Sequence, residues 1–332
     1  MRWLDPDGEP ADVFPALRGV AILSDSGAAR LFEGALSSLD EVLTQAAAGT
    51  PPAFDLPVRA TLRTVSAHER IESPNVAGLL RGSDERLRDE VVVYSAHLDH
   101  LGVGEPVKGD SIHNGALDNA SGSAALLEVA GAFAALPRAP RRSVLFLAVT
   151  AEEMGLLGSD YFAEYPTVPI ERIVANVNID GLGILYPLRE IVPYGAEHST
   201  LDSTVARAAQ RLDIALAADP FPQEVFFVRS DQYSFVRRGV PSLFPFIGQR
   251  SDSGIDAPAL FREWLATRYH TPQDDLGQPM DLESGARHAQ LGFLVGLDVA
   301  NADERPAWKA GDFFERTFGR RAAKAASASE RE

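Results

Sequence analysis

The sequence predicts an α/β protein with a mostly parallel central sheet flanked by helices on both faces. Three observations carry that expectation. Continuous apolar runs rich in β-branched residues at 90–96, 143–149 and 173–179 have the length and composition of strands covered on both faces. Amphipathic segments separate them: within 121–136, Leu126, Val129, Ala130, Phe133 and Leu136 fall on one helical face. Strands alternating with helices favour parallel pairing through right-handed crossovers.

Taken in order, the first fifty residues carry a short apolar run, Ala21-Ile22-Leu23, and then one amphipathic helix over 29–48, with Leu31, Phe32, Leu36, Leu39, Val42 and Leu43 near helical spacing. Gly49-Thr50-Pro51-Pro52 punctuates the chain. Residues 1–52 therefore read as an appendage and 53–319 as the main domain. Within the latter, 58–65 alternates like a strand, and 75–80 reads as its neighbour. Helices are expected at 156–164, 200–212 and 231–238, a strand-like run at 225–228, and a long helix at 281–301. Residues 320–332 are rich in Ala, Lys, Ser and Glu and read as a disordered tail. No repeat occurs at solenoid spacing.

Composition narrows the function classes. The 332 residues include no cysteine, which removes disulfides, thiolate metal sites and cysteine nucleophiles. With 31 basic and 47 acidic residues the net charge is −16, which disfavours a nucleic-acid backbone as partner. No apolar run approaches the ~20 residues that span a bilayer. Met1 to Asp7 turns acidic at once and lacks an apolar core, so no signal peptide is read there. The expectation is a cytoplasmic protein, or a chain whose true start has been lost.

Ligands of open α/β sheets bind beyond the carboxyl ends of the strands. The first run ends in Ser95-Ala96-His97-Leu98-Asp99-His100, the second in Thr150-Ala151-Glu152-Glu153, the third in Asn178-Ile179-Asp180-Gly181. Asn114-Gly115-Ala116-Leu117-Asp118-Asn119 delivers an aspartate just before a helix, and Arg268-Tyr269-His270-Thr271-Pro272 offers a further histidine. Singly, each has an ordinary reading: Asp118 as a helix cap, Glu152-Glu153 as a solvated pair, Asp180-Gly181 as a turn. Jointly they crowd one edge of the expected sheet. His97 and Asp99 would project on the same side of a continuing strand, so Asp99 could accept the free ring N–H of a metal-bound His97. Neighbouring Glu152 and Glu153 point apart, so one can bind metal while the other faces the attacking water. Two histidines and three carboxylates without thiolate suit two divalent ions, zinc above all, with cobalt or manganese as substitutes.

The segments SAHLDH, NGALDNASG, AEEMGLLGS, NVNIDG and YHTPQDD resemble, in this order, the motifs of metallopeptidase family twenty-eight, which holds the co-catalytic di-zinc aminopeptidases and the glutamate carboxypeptidases. The resemblance runs from about residue 75 to about residue 275. It implies a zinc exopeptidase-like fold with 53–319 as the catalytic domain. It implies two Zn2+ per chain: His97 and Asp180 on one, Glu153 and His270 on the other, and Asp118 bridging. Glu152 is then the general base, acting on a hydroxide shared by the two ions. Asp99 is the partner behind His97, Tyr269 a donor to the tetrahedral intermediate, and Asp118–Asn119 a cis peptide. The substrates implied are peptides losing N-terminal residues.

Arg229, within a segment that resembles the family's near the substrate pocket, could bind a substrate carboxylate, while Asp231 could cap the following helix. His100 and His113 flank the site and read as structural, and His68, His198 and His288 have no motif around them. Residues 1–52 resemble the tail end of the protease-associated domain inserted in exported members. A remnant of that kind implies an exported or periplasmic protein if the N-terminus is truncated. It would also leave apolar surface for a homodimer to cover. Three other readings compete. A glutaminyl cyclase-like acyltransferase would work with one zinc. A carboxypeptidase would need cationic side chains around the substrate's terminal carboxylate. A non-catalytic binding module would be expected to lose ligands, whereas the whole set is present here.

Overall fold

The computed structural model describes residues 1–319 except 13, 15, 18 and 253; the expected tail, 320–332, lies outside the described residues. The chain divides into two compact units, Glu9–Glu72 and a larger one made of Met1–Gly8 with the chain from Ser73 onward. The boundary expected at 52/53 is thus displaced: 53–72 belongs with the smaller unit. Its 58–65 stretch alternates in polarity but forms no strand, because it has no ladder partner.

In the smaller unit the single helix expected over 29–48 is two: α1 (Asp25–Leu31) and α2 (Leu39–Ala47). A second start signal makes the break. Ser38 Oγ accepts from Glu41 N while the Glu41 carboxylate accepts from Ser38 N, a reciprocal cap that begins a new helix.

The larger unit runs β1 (Val76–Leu80), β2 (Val91–His97), β3 (Gly102–Val107), β4 (Asp110–His113), α3 (Gly122–Ala134), β5 (Ser143–Val149), α4 (Leu157–Glu164), β6 (Ile173–Asn178), β7 (Glu190–Tyr194), α5 (Leu201–Arg211), β8 (Ala215–Leu216), α6 (Gln232–Val236), β9 (Ser242–Ile247), α7 (Ala257–Thr267) and α8 (Leu282–Asn301). Its seven-stranded sheet has the order β1-β5-β2-β6-β9-β7-β8. Pairing is parallel along β5-β2-β6-β9 and between β7 and β8, and antiparallel at β1-β5 and β9-β7. The expected fold class holds. The strand-like run at 225–228 is instead a 3-10 turn, and β3 with β4 forms a separate hairpin.

Alternate side chains of the central strands feed two cores. Val92, Tyr94 and Ala96 of β2 pack with Leu126, Val129 and Phe133 of α3 and with Leu291 and Val295 of α8. Val91 and Val93 point the other way and pack with Phe162 of α4 and Phe235 of α6. Burying both faces fixes the register, and with it which residues emerge at the carboxyl edge. At that edge Gly158 lets α4 approach β5, since a Cβ there would lie 2.1 Å from the Thr150 carbonyl oxygen.

Candidate metal centre

The carboxyl edge of β2, β5 and β6 gathers the expected residues. His97 is the last residue of β2, Asp180 follows β6, Glu152 and Glu153 follow β5, and Asp118 precedes α3. His270 arrives from the loop after α7. The Asp118–Asn119 peptide is cis. Ala151, immediately before Glu152, and His270 itself take left-handed φ values of +54° and +55°, uncommon outside glycine.

Two histidine–carboxylate groups meet at Asp118. His97 Nε2 lies 3.3 Å from Asp118 Oδ1 and 3.2 Å from Asp180 Oδ1. His270 Nε2 lies 3.3 Å from Asp118 Oδ2 and 3.2 Å from Glu153 Oε2, and it is buried without a hydrogen bond of good geometry. Donors about 2.0–2.1 Å from a tetrahedral zinc stand roughly 3.3 Å apart, so both groups have the spacing of ligands around an ion. Imidazole and carboxylate donors without thiolate fit zinc well.

Electrostatics agree with the geometry. Burial disfavours the His97 imidazolium, yet the Asp180 charge and the Asp118 and Asp180 contacts hold its pKa well above the ordinary range. Burial likewise opposes charge on His270, but Asp118 and Glu153 push it up to about 9. Burial raises the Asp118 carboxyl, and the two histidines more than reverse this, leaving it below the usual carboxylate range. These nitrogens bind a proton where a divalent ion would compete for them.

The adjacent glutamates differ in charge state. Burial raises Glu153, but His100 and His270 together bring it below its ordinary value. Glu152 is raised to about 10, first by burial and then by the Asp180 and Asp231 charges. Asp99 sits differently from expectation. The strand stops at His97, and His97 Nδ1 lies 3.1 Å from the Asp99 backbone carbonyl, with the carboxylate 3.8 Å away. That carboxylate instead accepts the N–H groups of Glu152 at 3.1 Å and Glu153 at 3.3 Å. Asp99 therefore orients His97 through its carbonyl and the two glutamates through its side chain.

Supporting residues that the sequence reading did not single out complete the site. Ser230 donates to Asp180 Oδ2 at 2.6 Å and accepts from Asn178 Nδ2 at 2.8 Å. The fully buried Asp274 accepts Leu117 N at 2.9 Å and Asp118 N at 3.0 Å. Asn119 Oδ1 accepts Gly122 N and Gly181 N, each at 3.0 Å. Asp274 and Asn119 lie inside motif segments, where their buried, multiply accepting roles have no spacing signature. His100 Nδ1 donates to Glu153 Oε1 at 2.8 Å, and together with Asp118 and Glu153 it forms a group that could also hold an ion. Asp231 sits at the N-cap of α6 without making a side-chain cap bond; its carboxylate is buried, and burial raises its pKa to about 7 against a Ser159 contact that lowers it.

Beside this cluster lies a cavity of about 240 Å³ bounded by Asp118, Glu152, Asp180 and Tyr269. Its far walls are apolar: Leu182 and Leu185 after β6, Phe246 of β9, Phe226, and Phe261 and Trp264 of α7. The spacing of Phe261, Trp264 and Leu265 after the Asp256 cap was the available sign of α7. The Tyr269 ring stacks on His270 at 3.8 Å. Arg229 lines the same cavity, but it is half exposed, paired with Glu224 at 3.4 Å and set over the Phe226 ring.

A family model described as Peptidase family M28 matches residues 75–293. Aminopeptidase YwaD of Bacillus subtilis (strain 168) is 30% identical over 272 residues, covering 77% of this chain and 52% of that protein. Aminopeptidase NAALADL1 of Mus musculus is 38% identical over 124 residues, 35% of this chain and 15% of that protein. The structure of BSAP, a zinc aminopeptidase from Bacillus subtilis, superposes with a TM-score of 0.52 at 21% identity, over 73% of this chain and 53% of that one, a likeness of fold. The chain thus spans about half the length of the Bacillus proteins and a smaller share of the mouse protein.

Proposed function

The chain belongs to peptidase family M28, and on that premise we propose that it is a zinc-dependent aminopeptidase releasing N-terminal residues with large apolar side chains. The observation that carries the reading is the Asp118 carboxylate, whose two oxygens each face a different imidazole at 3.3 Å. One ion would be held by His97, Asp180 and Asp118, the other by Glu153, His270 and Asp118. Zinc bound there would supply Lewis-acid chemistry, making water a better nucleophile and the scissile carbonyl a better electrophile.

The remaining steps fall to the chain's own side chains. Glu152, buried at the cavity wall, takes a proton from the attacking water and returns it to the leaving amine. Tyr269 offers its hydroxyl to the developing oxyanion. Asp99 keeps Glu152 in place through the backbone N–H it accepts. The apolar walls receive the side chain of the N-terminal residue, and a charged side chain would be desolvated there without a partner. The aminopeptidase names of the relatives support the reading. The carboxypeptidase alternative has weaker support, because Arg229 is the cation lining the cavity and Glu224 already neutralises it.

A panel of aminoacyl p-nitroanilides and N-blocked peptides, with and without chelator, tests the proposal. Leucyl and phenylalanyl anilides should be hydrolysed, the chelator should abolish turnover, and zinc should restore it. Cleavage of N-blocked peptides in preference to free-amine ones would contradict it.

A further inference from the structure

His288, on α8, is fully enclosed and lies outside the catalytic set, yet it joins two walls of the apolar cavity. Its Nδ1 accepts the Gly183 N–H at 3.4 Å, and its Nε2 donates to the Pro245 carbonyl at 3.0 Å. Burial lowers its pKa to about 4, so the ring is neutral and one nitrogen is free to accept. Gly183 lies between Leu182 and Leu185 in the loop after Asp180, and Pro245 lies between Phe244 and Phe246 of β9; all four flanking side chains line the cavity. The two walls touch directly as well, since a Cβ on Gly183 would lie 2.6 Å from Ile247 side-chain atoms. The preceding amides of the loop are also tied down, Gly181 N by Asn119 and Leu182 N by Ser121. Among the ties of these loop amides, the one through His288 reaches β9, and further along the loop Tyr186 Oη donates to the Gly248 carbonyl just past β9 at 2.9 Å.

We infer that His288 is a positioning residue that sets the width of the apolar cavity, and with it the preference for a large N-terminal side chain, by bridging Gly183 to Pro245. The inference rests on the aminopeptidase reading for its link to selectivity. The bridge itself does not.

His288→Phe keeps a ring but removes both hydrogen bonds, and His288→Gln keeps a group able to donate and accept. Losing the bridge should raise KM for leucyl p-nitroanilide about tenfold, the equivalent of one hydrogen bond, with kcat nearly unchanged. Alanyl p-nitroanilide and bound zinc should be nearly unaffected in His288→Phe, and His288→Gln should recover part of the loss. Amide exchange at Gly183, followed by NMR, should accelerate in His288→Phe. Two activity-free probes, 3-methylbutan-1-ol and ethanol, should lose their difference in binding in that variant. Equal loss on both anilides, or unchanged selectivity together with unchanged Gly183 exchange, would overturn the inference. If the wild type hydrolyses neither anilide, the aminopeptidase reading fails. The alcohol pair then decides alone: a preserved preference for the larger alcohol in His288→Phe overturns the role in cavity width, and a lost one supports it.

Discussion

Glu152 and Glu153 share a peptide bond and meet opposite surroundings. Histidines bring Glu153 down to the charged form a ligand needs, while burial and neighbouring carboxylates push Glu152 up to about 10. On the proposed reading, charged Glu153 would bind an ion, and Glu152 would act as base once bound cations bring its carboxyl down to the charged form. Glu152→Gln should therefore reduce kcat by about 10²–10⁴-fold while leaving zinc content intact, as read by turnover and metal analysis of the same sample. Loss of zinc in that variant would place Glu152 among the ligands. His288 makes a separate pH-dependent contribution. Its folded pKa of about 4 lies below the ordinary 6.5, with burial as the cause, opposed by the Pro245 carbonyl. The unfolded chain takes up the proton first, so stability is full above pH 6.5 and falls as the pH drops toward 4. Denaturant midpoints across that window should decline less steeply in His288→Phe than in the wild type, and parallel curves would remove His288 from the acid response.

Elements place these residues, and the sequence displays some elements better than others. β2, β5 and β6 are uninterrupted apolar runs, so their carboxyl ends, and the His97, Glu152, Glu153 and Asp180 side chains that follow them, could be read directly. α8 was also legible, because its apolar stripe is long and Asp281 accepts Ser284 N at its start. β9 was not: Pro245 within Ser242–Ile247 argues against a strand until the pairing with β7 is known. The cavity walls were lost with it, since Phe244, Phe246 and α7 come from that region. Asp99 was placed behind His97 on the assumption that β2 continues, and the chain turns after His97 instead. The supporting loops invite two tests. Asp274→Asn puts an N–H₂ donor where backbone N–H groups of Leu117 and Asp118 now find acceptors, and zinc affinity should fall about 10–100-fold in a competitive chelator titration. Unchanged affinity would show that the Asp118 loop holds itself. Gly158→Ala forces α4 away from the Thr150 carbonyl, and urea denaturation should register a loss of about 1–3 kcal/mol.

Across the whole molecule the two units differ in kind. The larger one encloses its sheet between helices. The smaller one, Glu9–Glu72, has no buried residue among those described, and Ile22, Leu36 and Val65 are among its exposed apolar side chains. A segment without a core opens at little free-energy cost, so limited proteolysis under native conditions should cut within 9–72 well before it cuts within 73–319. Early cleavage in the larger unit would contradict that ranking. No helix among the described residues is long and apolar enough to cross a membrane. The larger unit's central property is that distant stretches of chain bring two imidazoles to opposite oxygens of Asp118. Zinc bound per chain, measured by elemental analysis after saturation and gel filtration, tests this most directly. Two ions per wild-type chain, both weakened together in Asp118→Ala, is the result the account requires; a single ion, or an Asp118→Ala protein that still holds two, would contradict it.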